Sequence, residues 1–181
     1  SEFIHAWLAK LFPSSMNLAQ KLRWIEVSWA SLGVVFLALW VGRWQRSWVA
    51  GMFGGAAYAF MLSTVIRSTG IELSRENFAL PIFLASLAAA EFARGMPVGH
   101  TRWMWGGVAS LLMGCSWMAW DMIQYLLGLW VVACWLQCLA GRLRWSDWDG
   151  RQVVLHVMVL LMGALLNPYL RSHGAWNSPL I

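Results

Sequence analysis

The sequence predicts an all-α, polytopic membrane protein: six transmembrane helices preceded by a short interfacial amphipathic helix. Three observations carry this expectation. Of 181 residues, 60% are hydrophobic and only 12% are charged, against roughly a quarter charged in a soluble domain. Mean hydropathy is +0.58, which is more apolar side chain than a water-soluble monomer of this length can bury. The apolar residues also fall into six runs near bilayer length, since about 20 residues at 1.5 Å each cross roughly 30 Å of hydrocarbon.

Those runs are 24–42, 48–66, 78–93, 103–120, 123–140 and 152–170. The fourth and fifth separate at 120-WDMIQ-124, where Asp121 and Gln124 have the spacing of a capping box. Joined, they would be nearly twice too long for one span. Asp149 and Gln152 repeat the spacing at the start of the sixth run. Ahead of the first run, 3-FIHAWLAKLF-12 sets Phe3, Ile4, Trp7, Leu8, Leu11 and Phe12 at helical spacing before Pro13. That segment is too short to span, so it is predicted to lie along the interface. The chain thus divides into an interfacial helix at 1–13, a six-helix transmembrane domain at 14–171 and a short tail at 172–181.

Six spans put both termini on one face. That face receives Lys10, Lys21, Arg23, Arg67, Arg75 and Arg171 against Glu2, Glu26, Glu72, Glu76 and Asp121. The other receives Arg43, Arg46, Arg94, Arg102, Arg142, Arg144 and Arg151 against Glu91, Asp147 and Asp149. Each short connection on the second face holds at least two arginines, which predicts that it is cytoplasmic. The location expected is a bacterial inner membrane, with both termini periplasmic.

Three connections on that second face place arginine beside tryptophan: 42-GRWQRSW-48, 100-HTRWMW-105 and 141-GRLRWSDW-148. Indole prefers the headgroup zone and guanidinium pairs with phosphate in a fork. Arg43, Trp44, Arg46, Trp48, Arg102, Trp103, Arg142, Arg144, Trp145 and Trp148 are therefore expected to be interfacial anchors. Their partner would be the lipid bilayer, with anionic lipids favoured.

Small residues recur every fourth position in three consecutive runs: Gly51, Gly55, Ala59 and Ser63; Ala85, Ala89 and Ala93; Gly106, Ser110 and Gly114. Such stripes let backbones approach closely where lipid removes the hydrophobic incentive. They predict that the second to fourth spans pack as one block.

Chemistry-bearing residues are few. The sequence contains no GxxxxGK[ST], HExxH, CxxC or GxSxG pattern, so no catalytic residue, metal site, cofactor or nucleic-acid contact is predicted. Cys115, Cys134 and Cys138 read as small packing residues. Glu26, Glu91 and Asp121 are intramembrane or interfacial acids, with Arg23 and Arg94 at i,i+3 from the two glutamates. Trp130, Trp135, Gln137 and His156 are the candidates for lining a ligand pocket.

The run 114-GCSWMAWD-121 resembles, over eight residues, the tryptophan-rich segment of haem-handling membrane proteins of cytochrome c biogenesis, sharing Trp117, Trp120 and Asp121. The flanking histidines of that segment have no counterpart, so haem binding is not carried over. In format, about 180 residues in six helices with a Gly-rich second helix after a basic turn, the chain is similar to the vitamin-binding subunits of energy-coupling-factor transporters. That similarity implies small-molecule uptake. The composition, short loops and packing stripes instead predict a non-catalytic subunit of a larger membrane assembly, which is the leading expectation. A small-molecule binding or transport subunit is the alternative, and an enzyme handling haem, quinone or lipid comes third.

Overall fold

The computed structural model describes residues 2–69, 75–119, 123–141 and 148–166, and all regular structure among them is helical. The helices are α1 (Glu2–Ala9), α2 (Leu18–Trp44), α3 (Trp48–Thr69), α4 (Arg75–Gly95), α5 (His100–Ala119), α6 (Ile123–Leu139) and α7 (Trp148–Leu166). The six longer ones lie on the six apolar runs. Among the described residues, two segments are long and apolar enough to cross a membrane: Leu18–Trp44, at mean hydropathy 1.7, and Phe78–Gly95, at 1.4. Trp48–Met61 and Tyr125–Leu139 are shorter apolar helices. Asp121, Arg142, Arg144, Trp145 and the tail at 172–181 lie outside the described residues, as does the side chain of Ser63. The chain forms two compact units, Ser1–Ala88 and Ala89–Ile181, so their boundary falls inside α4.

In the first unit, α1 ends at Ala9, before Pro13. Its last turn tightens through bonds from Lys10 N to Trp7 O (3.1 Å) and from Leu11 N to Leu8 O (3.0 Å), as orphan carbonyls at a helix end often do. α2 starts six residues earlier than the apolar run. The reason is a capping box: Asn17 Oδ1 accepts from Gln20 N at 2.8 Å and Gln20 Oε1 accepts from Asn17 N at 3.2 Å. Polar Gln20, Lys21 and Arg23 thereby join the helix. At 27 residues, α2 is about 40 Å long, longer than the hydrocarbon layer.

The α2–α3 connection is a Schellman turn. Ser47 N bonds Gly42 O at 2.9 Å and Arg46 N bonds Arg43 O at 3.1 Å, with Arg46 at φ 50° in the left-handed position where glycine is usual. The two helices then pack backbone to backbone. A Cβ on Gly51 would lie 2.5 Å from Ala38 O and 3.0 Å from Gly42 Cα, and one on Gly55 would lie 3.1 Å from Ala38 Cβ. The close-packing stripe of α3 thus faces a complementary stripe of α2, Val34, Ala38 and Gly42. Ala59, expected to extend the stripe, is exposed. Farther along, Trp29 Nε1 donates to Phe78 O at 3.0 Å and the two rings stack at 5.3 Å. That carbonyl belongs to the turn disturbed by Pro81 inside α4.

In the second unit α5 and α7 are the main pair, with α6 against both. Contacts advance in the same direction along both helices: Gly106 meets Trp148 and Gln152, Ser110 meets His156, and Gly114 meets Val159. α5 and α7 therefore run parallel. The stripe of α3 serves α2, and the stripe of α5 serves α7. A small-residue stripe reports that a neighbour comes close but not which neighbour does so.

Candidate functional site

The α5–α7 seam gathers most of the buried polar side chains among the described residues. Ser110, Gln152 and His156 are 0–1% exposed, and Ser116 is also buried on α5. Trp148, Gln152 and His156 recur every fourth residue and so share one face of α7. Gly106 makes room for that face. A Cβ there would sit 2.7 Å from Trp148 Cζ2 and 2.9 Å from Gln152 Oε1.

The hydrogen bonds fix the orientation of each group. Gln152 Nε2 donates to Gly106 O at 3.0 Å and lies 3.1 Å from both Ser110 Oγ and His156 Nδ1; Ser110 Oγ is 2.7 Å from the same Nδ1. The amide nitrogen has two hydrogens for these three neighbours, and the direction of the Ser110 Oγ–His156 Nδ1 bond follows the ring tautomer. His156 Nε2 is buried without a protein partner, as are Gln152 Oε1 and Trp148 Nε1. The ring of Trp130 packs on His156 with centroids 5.1 Å apart, tilted by 46°. The arrangement leaves an unpartnered ring nitrogen beside an indole. Tyr58 Oη in the first unit is a further buried hydroxyl without a partner, lying near Gly33 and Pro81.

Of the four expected pocket residues, Trp130 and His156 come together. Trp135 and Gln137 do not, because both are exposed. Five positions at 100° per residue turn Trp135 about 140° away from Trp130, and Gln137 lies about 10 Å farther along the axis. Gln152, which sequence spacing assigned to a capping box with Asp149, instead reaches across to α5.

At one end of the seam lies an ionic cluster. Arg94 pairs with Glu91 at 3.0 Å and with Asp149 at 2.7 Å. Arg102 donates to the carbonyls of Ala93 (3.0 Å) and Arg94 (2.8 Å), capping the C-terminus of α4, and its guanidinium lies 5.1 Å from the Trp148 ring centre. Trp103 meets Trp148 edge-on at 5.2 Å, and Phe92 stacks on Trp105 at 5.6 Å. Arg102, Trp103 and Trp148, expected as interfacial anchors, thus also link α4, α5 and α7. Arg43, Trp44, Arg46 and Trp48 in the first unit are all exposed. Glu26 is half-buried, Cys115 and Cys138 are free thiols, and no group of three or more His, Cys, Asp or Glu among the described residues could hold a metal ion.

The sequence reading missed the roles of Ser110 and Gln152 as buried hydrogen-bonding groups and of Trp29 as a donor. A signal existed for the first two: polar residues every fourth position on α7 opposite small residues every fourth position on α5. Comparison with protein-family models, curated proteins and solved structures finds no match to this chain.

Proposed function

We propose that the chain is a six-span integral membrane protein acting as a non-catalytic subunit of a membrane assembly. One observation supports this reading most. In the second unit Arg94, Arg102 and Gln152 connect helix to helix, and in both units large apolar side chains are exposed, including Phe53 (74% exposed) and Phe60 (76%) on α3 and Leu129 (68%) on α6. Apolar surface on that scale requires lipid or another apolar protein surface. Purification from native membranes at endogenous expression tests the reading. A protein partner retained through mild detergent and visible by native mass spectrometry is the expected outcome. A monomer carrying a small molecule would overturn it.

That second outcome is the alternative reading, a small-molecule binding subunit. It draws support from the partnerless Nε2 of His156 beside Trp130, which suits a ligand with one hydrogen-bonding group and an apolar body.

A further inference from the structure

The α5–α7 seam encloses an ionisable ring with no counter-charge. His156 is 0% exposed and lies among Ser110, Gln152 and Trp130. Among the described residues, no charged group faces it. α5 presents Ser110; its His100 and Arg102 lie in the first turn of that helix, and its Cys115 is exposed. α6 presents Trp130, while Tyr125 is exposed, Cys138 lies about 12 Å farther along the axis, and the side chain of Cys134 is outside the described residues. On α7 itself the nearest charges are Arg151, which is exposed, and Asp149, which Arg94 of α4 holds at 2.7 Å.

Two contacts compete for the Gln152 amide. Its nitrogen lies 3.0 Å from Gly106 O and 3.1 Å from His156 Nδ1. A carbonyl oxygen only accepts, so Gly106 fixes the nitrogen of the amide on its side. Protonation puts a hydrogen on both ring nitrogens, whichever tautomer the neutral ring had. Nδ1–H then meets the amide hydrogens, and Ser110 Oγ, 2.7 Å away, is the acceptor left to it. Turning the amide over would bring Oε1 to the ring, but it would set oxygen against oxygen at Gly106. Nε2–H gains no acceptor in exchange.

We propose that His156 is a proton-operated latch on the α5–α7 seam: the neutral ring leaves Gln152 bonded to the Gly106 carbonyl, and a proton on the ring breaks that bond and opens the seam. An uncompensated charge in an enclosed site is disfavoured, so the closed seam excludes the proton that the unfolded chain takes near the ordinary imidazole value, about 6.5. Stability is therefore present above about pH 6.5 and lost as the pH falls below it, by up to about tenfold in the folding constant per pH unit. Neither step depends on the subunit reading.

The test is denaturant unfolding of the full chain in bicelles from about pH 8 to about pH 5, comparing wild type with His156→Gln, which cannot take a proton. Below about pH 6.5 the folding constant is expected to fall more steeply in the wild type, the two slopes differing by up to about tenfold per unit. Equal slopes would overturn the proposal. Gln152→Glu supplies both an acceptor for Nδ1–H and a counter-charge, so it is expected to abolish the fall, and a fall as steep as the wild type's would equally overturn the latch. If neither variant folds, nitrogen NMR of the wild type decides: the ring signal of His156 and the side-chain amide signal of Gln152 are expected to change together as the pH drops. A ring that becomes charged while the amide signal stays unchanged would refute the coupling.

Discussion

At the scale of single residues, the α5–α7 seam sets a hydrogen-bonded triad against a close backbone approach, and magnitudes decide which matters more. Side-chain hydrogen bonds between membrane helices average about 0.6 kcal/mol, because the separated helices also find partners. Forcing an extra methyl into a packed contact costs about 1–3 kcal/mol. Gly106→Ala would put its Cβ 2.7 Å from the Trp148 ring, so it is expected to destabilise the second unit more than Gln152→Met does. Gly107 is the internal control, because nothing lies within 4 Å of the Cβ it would gain. Gly107→Ala is expected to be neutral, or stabilising by up to about 1 kcal/mol through helix propensity. Unfolding of the three variants in bicelles ranks them, and equal losses for Gly106→Ala and Gly107→Ala would show that the close contact does not hold the seam.

At the scale of elements, each unit is organised by one seam of small residues, and a second comparison tests the first unit. Gly51→Ala brings a methyl within 2.5 Å of the Ala38 carbonyl oxygen, a backbone atom that cannot rotate aside. Phe53, two residues on, is 74% exposed. A melting point lowered by Gly51→Ala and little changed by Phe53→Ala is therefore expected, and the reverse order would remove α2 as the partner of that stripe. These elements also show what the sequence could and could not reveal. Helix positions were legible because apolar runs bounded by Pro13, the basic turns and the polar connections leave few alternatives. Partners were not: Gly51 and Gly55 announce a close neighbour without naming it. Asp149 and Gln152 fit the spacing of a capping box, but the buried carbonyl of Gly106 and the hydroxyl of Ser110 draw the amide across to α5. Arg102 could not be told from Arg43 by its neighbours in sequence, because its acceptors, the last carbonyls of α4, appear only when the turn at 96–99 folds back.

At the scale of the whole molecule, the arrangement in the membrane follows from which helices cross it, and the exposed turns between helices can report this. α2 ends at Trp44 and α4 at Gly95; both are long and apolar enough to span. If α3 also spans, Gln45 and Val98 lie on the same face. If α3 remains on one side, the second crossing runs the other way and the two residues lie on opposite faces. Gly141, after α6, extends the same logic to α5 and α6. All three residues are exposed, so cysteines placed there on a background with Cys115, Cys134 and Cys138 replaced can be labelled with a membrane-impermeant maleimide. For the six-span arrangement with its basic turns in the cytoplasm, Gln45→Cys, Val98→Cys and Gly141→Cys should react only after the cytoplasmic side is opened, and Ser15→Cys should react in intact cells. Reversal at all four positions would invert the orientation and leave the six spans standing. Opposite accessibility of positions 45 and 98 would remove α3 from the membrane and, with it, the six-span basis of the subunit reading.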